Sequence, residues 1–212
     1  SGLGIDTTSF STSNITVNNG ATVTAVSANG NAVTYTIKSP AATWGASTQG
    51  TYTIALVASQ VKDLAGNYVA ANSSLASFTV DMVNPTAAVT TAPTPVNAAH
   101  AGENTITLTV TYSPSTSGSA LDTTSFAKTN LTVSNNATVD SITVNGNAVT
   151  YTIKAPQATW GTSTQGTYTI GLAANQVKDL AGNYVAANAS LATFKVDTAV
   201  PTASVTTSVP PI

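Results

Sequence analysis

The side chains best equipped for chemistry are eight acids, and six of them form pairs that recur along the chain: Asp6 with Asp122, Asp63 with Asp179, Asp81 with Asp197. Glu103 and Asp140 stand outside the pairs. Carboxylates and asparagine amides are hard oxygen donors. Calcium takes about six to eight such oxygens, mixing carboxylate, amide and backbone carbonyls with water. In a chain with only 7% charged residues, grouped acids would repel one another without a cation. Asp and Asn also shape turns by bonding their own backbone. The sequence leaves both readings open, calcium and turn.

Other chemistry is thinly supplied. His100 is the only histidine, in the segment "PVNAAHAGEN" ahead of a strand. A Ser-His-Asp triad would have to use it, and the first copy of the repeat described below has no equivalent. An exposed loop histidine is expected. A carboxylate pair for glycoside hydrolysis has no supporting context. The chain is therefore expected not to be an enzyme. The absence of cysteine removes thiol chemistry and Cys-ligated metals. Six dispersed lysines and no arginine cannot form the cationic patch that displaces counterions from nucleic acid. No apolar run approaches the roughly 18 residues of a membrane helix, so no membrane insertion is expected. Asn-X-Ser/Thr sequons at Asn14, Asn72, Asn130, Asn136 and Asn188 are about as many as this Asn-, Ser- and Thr-rich composition yields by chance.

The elements that hold these residues are set by an internal duplication. The stretch "IDTTSFSTSNITVNNGATVTAVSANGNAVTYTIKSPAATWG" from Ile5 returns as "LDTTSFAKTNLTVSNNATVDSITVNGNAVTYTIKAPQATWG" from Leu121. The register then holds without a gap through "QVKDLAGNYVAAN" and on to "VDMVNPTAAVTT" against "VDTAVPTASVTT". Residues 86–112 have no counterpart ahead of the first copy. The first copy therefore lacks opening strands that the second possesses.

The pattern is β throughout. "TITLTVTY" at 105–112 alternates strictly, with Ile106, Leu108, Val110 and Tyr112 on one face and threonines on the other. "AVTYTI" (148–153), "TYTIGLAA" (167–174) and their copies at 32–37 and 51–58 alternate likewise. Asn29-Gly30 and Asn145-Gly146 read as two-residue hairpin turns with positive φ at both positions. Several short antiparallel strands per repeat imply two packed sheets.

"VKDLAGNYV" (61–69 and 177–185), followed by a strand ending in "VD" and then "NPTA" or "VPTA", resembles the bacterial Ig-like repeat domains of surface-layer proteins and large repetitive adhesins. The resemblance implies an all-β fold of tandem immunoglobulin-like β-sandwich repeats. It divides the chain into a repeat at 1–84 lacking its first strands, a complete repeat at 85–198, and the start of a further repeat or tail at 199–212. The antibody pattern of a cysteine pair around a core tryptophan is missing; Trp44 and Trp160 lie in "ATWG" segments near loops. In such a sandwich, Asp81, Asp122, Asp179 and Asn183 would converge at the junction of repeats, as in the interdomain calcium sites of long adhesins. Glu103 and Asp197 would face a following domain in the same way.

The function implied is a structural module of a secreted or cell-surface protein, extracellular in location. Its partners would be neighbouring Ig-like repeats of the same or adjacent chains, joined at Asn84-Pro85 and Val200-Pro201 into a semi-rigid array. A homopolymeric fibre or lattice completed by strand exchange is the alternative, with "PTASVTTSVPPI" as a strand to donate. A glycan- or host-protein-binding module using Tyr68, Tyr184, Trp44 and Trp160 is a third, although a core or junction role fits those aromatics better. A lysine–asparagine crosslink would need a buried lysine, and Lys38 and Lys154, ending alternating strands, are expected to face solvent.

Overall fold

Alternating threonine and apolar residues become strands in both copies of the repeat. The structure, a computed structural model, describes residues 3–115 and 118–207. Among these the only helical pieces are single 3-10 turns. The chain divides into two compact units, Ser1–Val83 with Ser115–Ala120, and Asn84–Pro114 with Leu121–Ile212.

The first unit holds β1 (Ile15–Val17), β2 (Thr22–Asn29), β3 (Ala32–Lys38), β4 (Gly50–Leu56) and β5 (Asn72–Val80). They form a three-stranded antiparallel sheet in the order β1-β4-β5 and a β2-β3 ribbon. The second unit holds β6 (Thr86–Thr91), β7 (Thr105–Ser113), β8 (Leu131–Val133), β9 (Thr138–Asn145), β10 (Ala148–Lys154), β11 (Gly166–Leu172) and β12 (Asn188–Val196). Its sheets run β6-β7-β10-β9 and β12-β11-β8.

Both sheets of the second unit contribute to one core. Leu108, Val110 and Tyr112 of β7, Val149, Tyr151 and Ile153 of β10, and Ile170 of β11 are all fully buried. These are every second residue of their strands, because successive side chains point to opposite faces. The threonines between them pair across strands, as Thr109 Oγ1 does with Thr150 Oγ1 at 2.9 Å. Their β-branched side chains suit a pleated, half-wet surface.

The hairpins form, with one correction to the turn. Asn29 pairs with Ala32 and Asn145 with Ala148. The two-residue loops are therefore Gly30-Asn31 and Gly146-Asn147, one position later than expected. Positive φ falls on Gly30 (59°) and Gly146 (58°) alone, as in the hairpin turn that takes glycine first. A bulge also interrupts each of these ribbons, leaving Thr24 or Asp140 without a Cα partner. Bulges add local twist and re-aim the strand. Residues 199–207 carry no strand, and Pro201–Thr207 is exposed; the rest of the tail proposed for donation lies outside the described residues.

Candidate functional site

The paired aspartates fold their own loops. Asp179 follows the bridge of Lys178 to Tyr184 and is 1% exposed. Its two carboxylate oxygens accept Asn183 N–H and the Asn183 side-chain amide, each at 2.9 Å. Asp63 does the same with Asn67 and also accepts Ala65 N–H at 2.9 Å. The Asn67 amide, with the loop N–H groups behind it, holds the Asp63 carboxyl below its ordinary range. Gly66 (φ 90°) and Gly182 (φ 93°) occupy the left-handed turn inside each loop, a conformation glycine adopts without strain.

Asp122 caps the 3-10 turn Thr123–Ser125 by accepting Thr124 N–H at 3.1 Å and the Thr124 hydroxyl. Lys178 Nζ stands 3.7 Å from its other oxygen. The Thr124 hydroxyl first, then its N–H and the Lys178 charge, lower the Asp122 pKa. Asp6 repeats the arrangement with Thr8 and Lys62. Leu121 bridges to Asp179, and Asp122 N–H donates to the Lys178 carbonyl at 3.0 Å. The second unit thus brings Asp122 beside the Asp179–Asn183 loop.

Asp81 belongs to the first unit and is 6% exposed. Its carboxylate accepts Val83 N–H at 3.1 Å and Ser119 N–H at 2.5 Å. It sits so close to Gly118 that a Cβ there would collide with it. Its sequence counterpart Asp197 is exposed and pairs with Lys195 Nζ at 3.0 Å instead. Among the described residues no group of three or more His, Cys, Asp or Glu is placed to hold a metal. The turn reading accounts for the oxygens of Asp63, Asp122 and Asp179 by named donors.

The remaining candidates are soon placed. His100 ends a 3-10 turn, and its Nδ1 meets Asn97 Oδ1 at 2.9 Å. An amide oxygen only accepts, so Nδ1 is the donor there. Lys38 and Lys154 are exposed, as their strand positions require. A surface groove lined by Pro85, Thr86, Ala87, Leu172, Val185 and Leu191 carries no ionisable side chain.

The tryptophans leave their loop segments to enter the interior. Trp160 is fully buried, edge-on to Tyr168 (5.2 Å) and Phe194 (5.6 Å), which stack on each other at 5.0 Å. Trp44 makes the same box with Tyr52 and Phe78. A fully buried Trp160 offers no ring face to a sugar. Tyr68 and Tyr184 remain exposed.

Sequence reasoning missed the buried polar centre. Asn130 is 0% exposed, accepts Ala127 N–H at 2.6 Å and the Tyr151 hydroxyl at 3.2 Å, and donates to the Ser125 carbonyl at 3.1 Å. Asn14 is equally buried and bonds Ser11, Tyr35 and Ser9 in the same way. In the sequence both stand out only as sequons. Their sequence signal is an Asn directly ahead of an apolar strand, where a buried amide must find partners.

No family model, curated protein or solved structure matches the chain. Function has to be argued from geometry.

The most informative geometry is a difference between two nearly identical ribbons. β3 and β10 share the sequence AVTYTIK. In the second unit β10 lies between β7 and β9, and Val149, Tyr151 and Ile153 are 0% exposed. In the first unit β3 pairs only with β2 among the described residues, and Val33, Tyr35 and Ile37 are only half-buried. Trp44, Phe78 and Val80 are half-buried too, whereas Trp160, Phe194 and Val196 are buried.

Proposed function

We propose that the chain is a run of immunoglobulin-like β-sandwich modules acting as structural repeats of a secreted or cell-surface protein, as in an adhesin stalk or a surface layer. The observation that carries this reading is strand order. Numbered as A to G, the seven strands of the second unit pair A-B-E-D in one sheet and C-F-G in the other, the arrangement of constant-type immunoglobulin domains. A second feature agrees. Tyr168, near the start of β11, sends its hydroxyl back to the Thr164 carbonyl at 2.9 Å, and Tyr52 does so to Thr48. That is the tyrosine corner of such domains. Surface-layer and adhesin repeats enter through the "VKDLAGNYV" resemblance.

The reading assigns the chain reach and mechanical continuity rather than catalysis. A low-charge, threonine-coated surface suits it, being hydrated without strong fields. Calcium at Asp122, Asp179 and Asn183 of the second unit would be an added stiffener, in competition with Lys178 at Asp122 and with the Asn183 amide at Asp179.

Single-molecule stretching of the purified protein tests the reading. Unfolding of the second unit as a separate, force-resistant event is expected. Yielding without a force peak would overturn the mechanical role. A second reading, a fibre or lattice subunit completed by strand exchange, is favoured by the half-exposed core beside β3.

A further inference from the structure

The edge of β3 is a row of backbone donors and acceptors beside an apolar face. Such an edge is a template for another strand. What fits it can be read from the second unit, where the same sequence is already covered.

There β7 lies antiparallel to β10, with Thr111 opposite Ala148, Val110 opposite Val149, Leu108 opposite Tyr151, Ile106 opposite Ile153 and Thr105 opposite Lys154. Its Tyr112 side chain and the segment leading into it supply three contacts that set the second unit apart from the first. The Tyr112 hydroxyl meets the Tyr151 hydroxyl at 2.7 Å, while among the described residues Tyr35 bonds Asn14 and no tyrosine. The Tyr112 ring stacks on Phe126 at 5.2 Å, and the corresponding Phe10 is half-buried. The segment leading into β7 clasps the tryptophan backbone, through Trp160 N–H to the Glu103 carbonyl at 2.7 Å and Gly102 N–H to the Trp160 carbonyl at 3.0 Å. The tail is no substitute. Pro201–Thr207 matches the stretch around β6, and β6 pairs with β7, not with β10.

We propose that the open face of the first unit is an acceptor for one kind of strand, the β7 type with the pattern ENTITLTVTYS. This rests on the modular reading and adds its partner chemistry and register. The donated strand runs antiparallel to β3, placing its Leu108 position opposite Tyr35, its Val110 position opposite Val33 and its Ile106 position opposite Ile37. Its tyrosine joins Tyr35 above Asn14. Register is sharply specified, because a slip of one residue turns every apolar side chain to solvent.

The test adds a synthetic peptide of residues 103–113 to the intact protein and follows amide hydrogen exchange by mass spectrometry. Exchange in residues 32–38 should slow at least tenfold, and exchange in 148–154 should not change. A peptide carrying Leu108→Lys should give no protection, and one carrying Thr107→Lys, whose side chain is exposed in the second unit, should protect as well as the parent. A second measurement covers a weak peptide: the protein extended at its N-terminus by a linked copy of residues 84–114. Its first unit should then melt together with its second. Unprotected β3 amides in both experiments overturn the acceptor and leave the modular reading intact. A stretching trace without a force peak, with β3 protected, would overturn the mechanical role and leave the acceptor standing.

Discussion

The hydroxyls of Tyr112 and Tyr151 lie 2.7 Å apart between two fully buried rings, and Tyr151 passes its hydrogen bond to Asn130 at 3.2 Å. This chain of three polar groups lies in the buried interior of the second unit. Each member is satisfied by the next, which is the condition for burying it.

Shortening the chain at its outer end should be tolerated better than breaking it in the middle. Tyr112→Phe leaves Tyr151 bonded to Asn130 and should cost about 1 kcal/mol of unfolding free energy. Asn130→Ala strips partners from Ala127 N–H, Tyr151 and the Ser125 carbonyl together, and should cost at least about 3 kcal/mol. Denaturant titration of each variant gives the comparison. Equal losses would mean the network is not read correctly.

The same pair sets an alkaline limit. Burial pushes the Tyr112 pKa up to about 12, and Tyr151 is raised further by burial with Tyr112 beside it. An unfolded tyrosine releases its proton near pH 10. Between those values the folded state holds protons that the unfolded state has lost, so stability falls as pH rises. The denaturation midpoint should be flat up to about pH 10. Above that, unfolding free energy should drop by about 1.4 kcal/mol per pH unit for each tyrosine. A flat profile to pH 12 would contradict the burial of both rings.

The carboxylates set the opposite limit. Asp6, Asp63, Asp122 and Asp197 all have lowered pKa values. Their contribution is complete above the unfolded value near 3.9 and is lost as pH falls through the folded ones. Thermal melts should be level from pH 7 to about pH 4 and fall below it.

Calcium is decided by a melt with and without chelator. If the named protein donors are the working partners of Asp122 and Asp179, the two curves superimpose. A rise of several degrees with calcium would show a cation displacing them.

The two tryptophans report on their units separately. Trp160→Ala removes a fully buried ring and should cost about 3–5 kcal/mol. Trp44→Ala removes a half-buried one and should cost clearly less. Emission from Trp44 should also lie to the red of Trp160 and be lost at lower denaturant concentration. Measured on Trp44→Phe and Trp160→Phe, coincident transitions would mean the first unit is as well covered as the second.

Much of the architecture is legible in residue alternation. Ile106, Leu108, Val110 and Tyr112 announce a buried stripe because strand geometry has a period of two. The hairpins announce themselves through glycine, although the loop starts at Gly30 and Gly146 rather than one residue earlier. The rest depends on partners distant in sequence. Val33 and Val149 have the same neighbours along the chain and different burial, because only one has β7 beside it. A core or junction role for Trp160 is legible in the sequence, but its ring partners Tyr168 and Phe194 are not. At the candidate site, Asp122 and Asp179 are legible as oxygen donors. Which groups they bind is not, since Thr124, Asn183 and Lys178 are chosen by loop geometry.

The order of strands along the chain has a consequence for synthesis. In the second unit β7 precedes β10, so the strand that will shield β10 has already left the ribosome when β10 emerges. A nascent chain built this way need not hold a bare, weakly charged β edge while the rest of the unit is still being made.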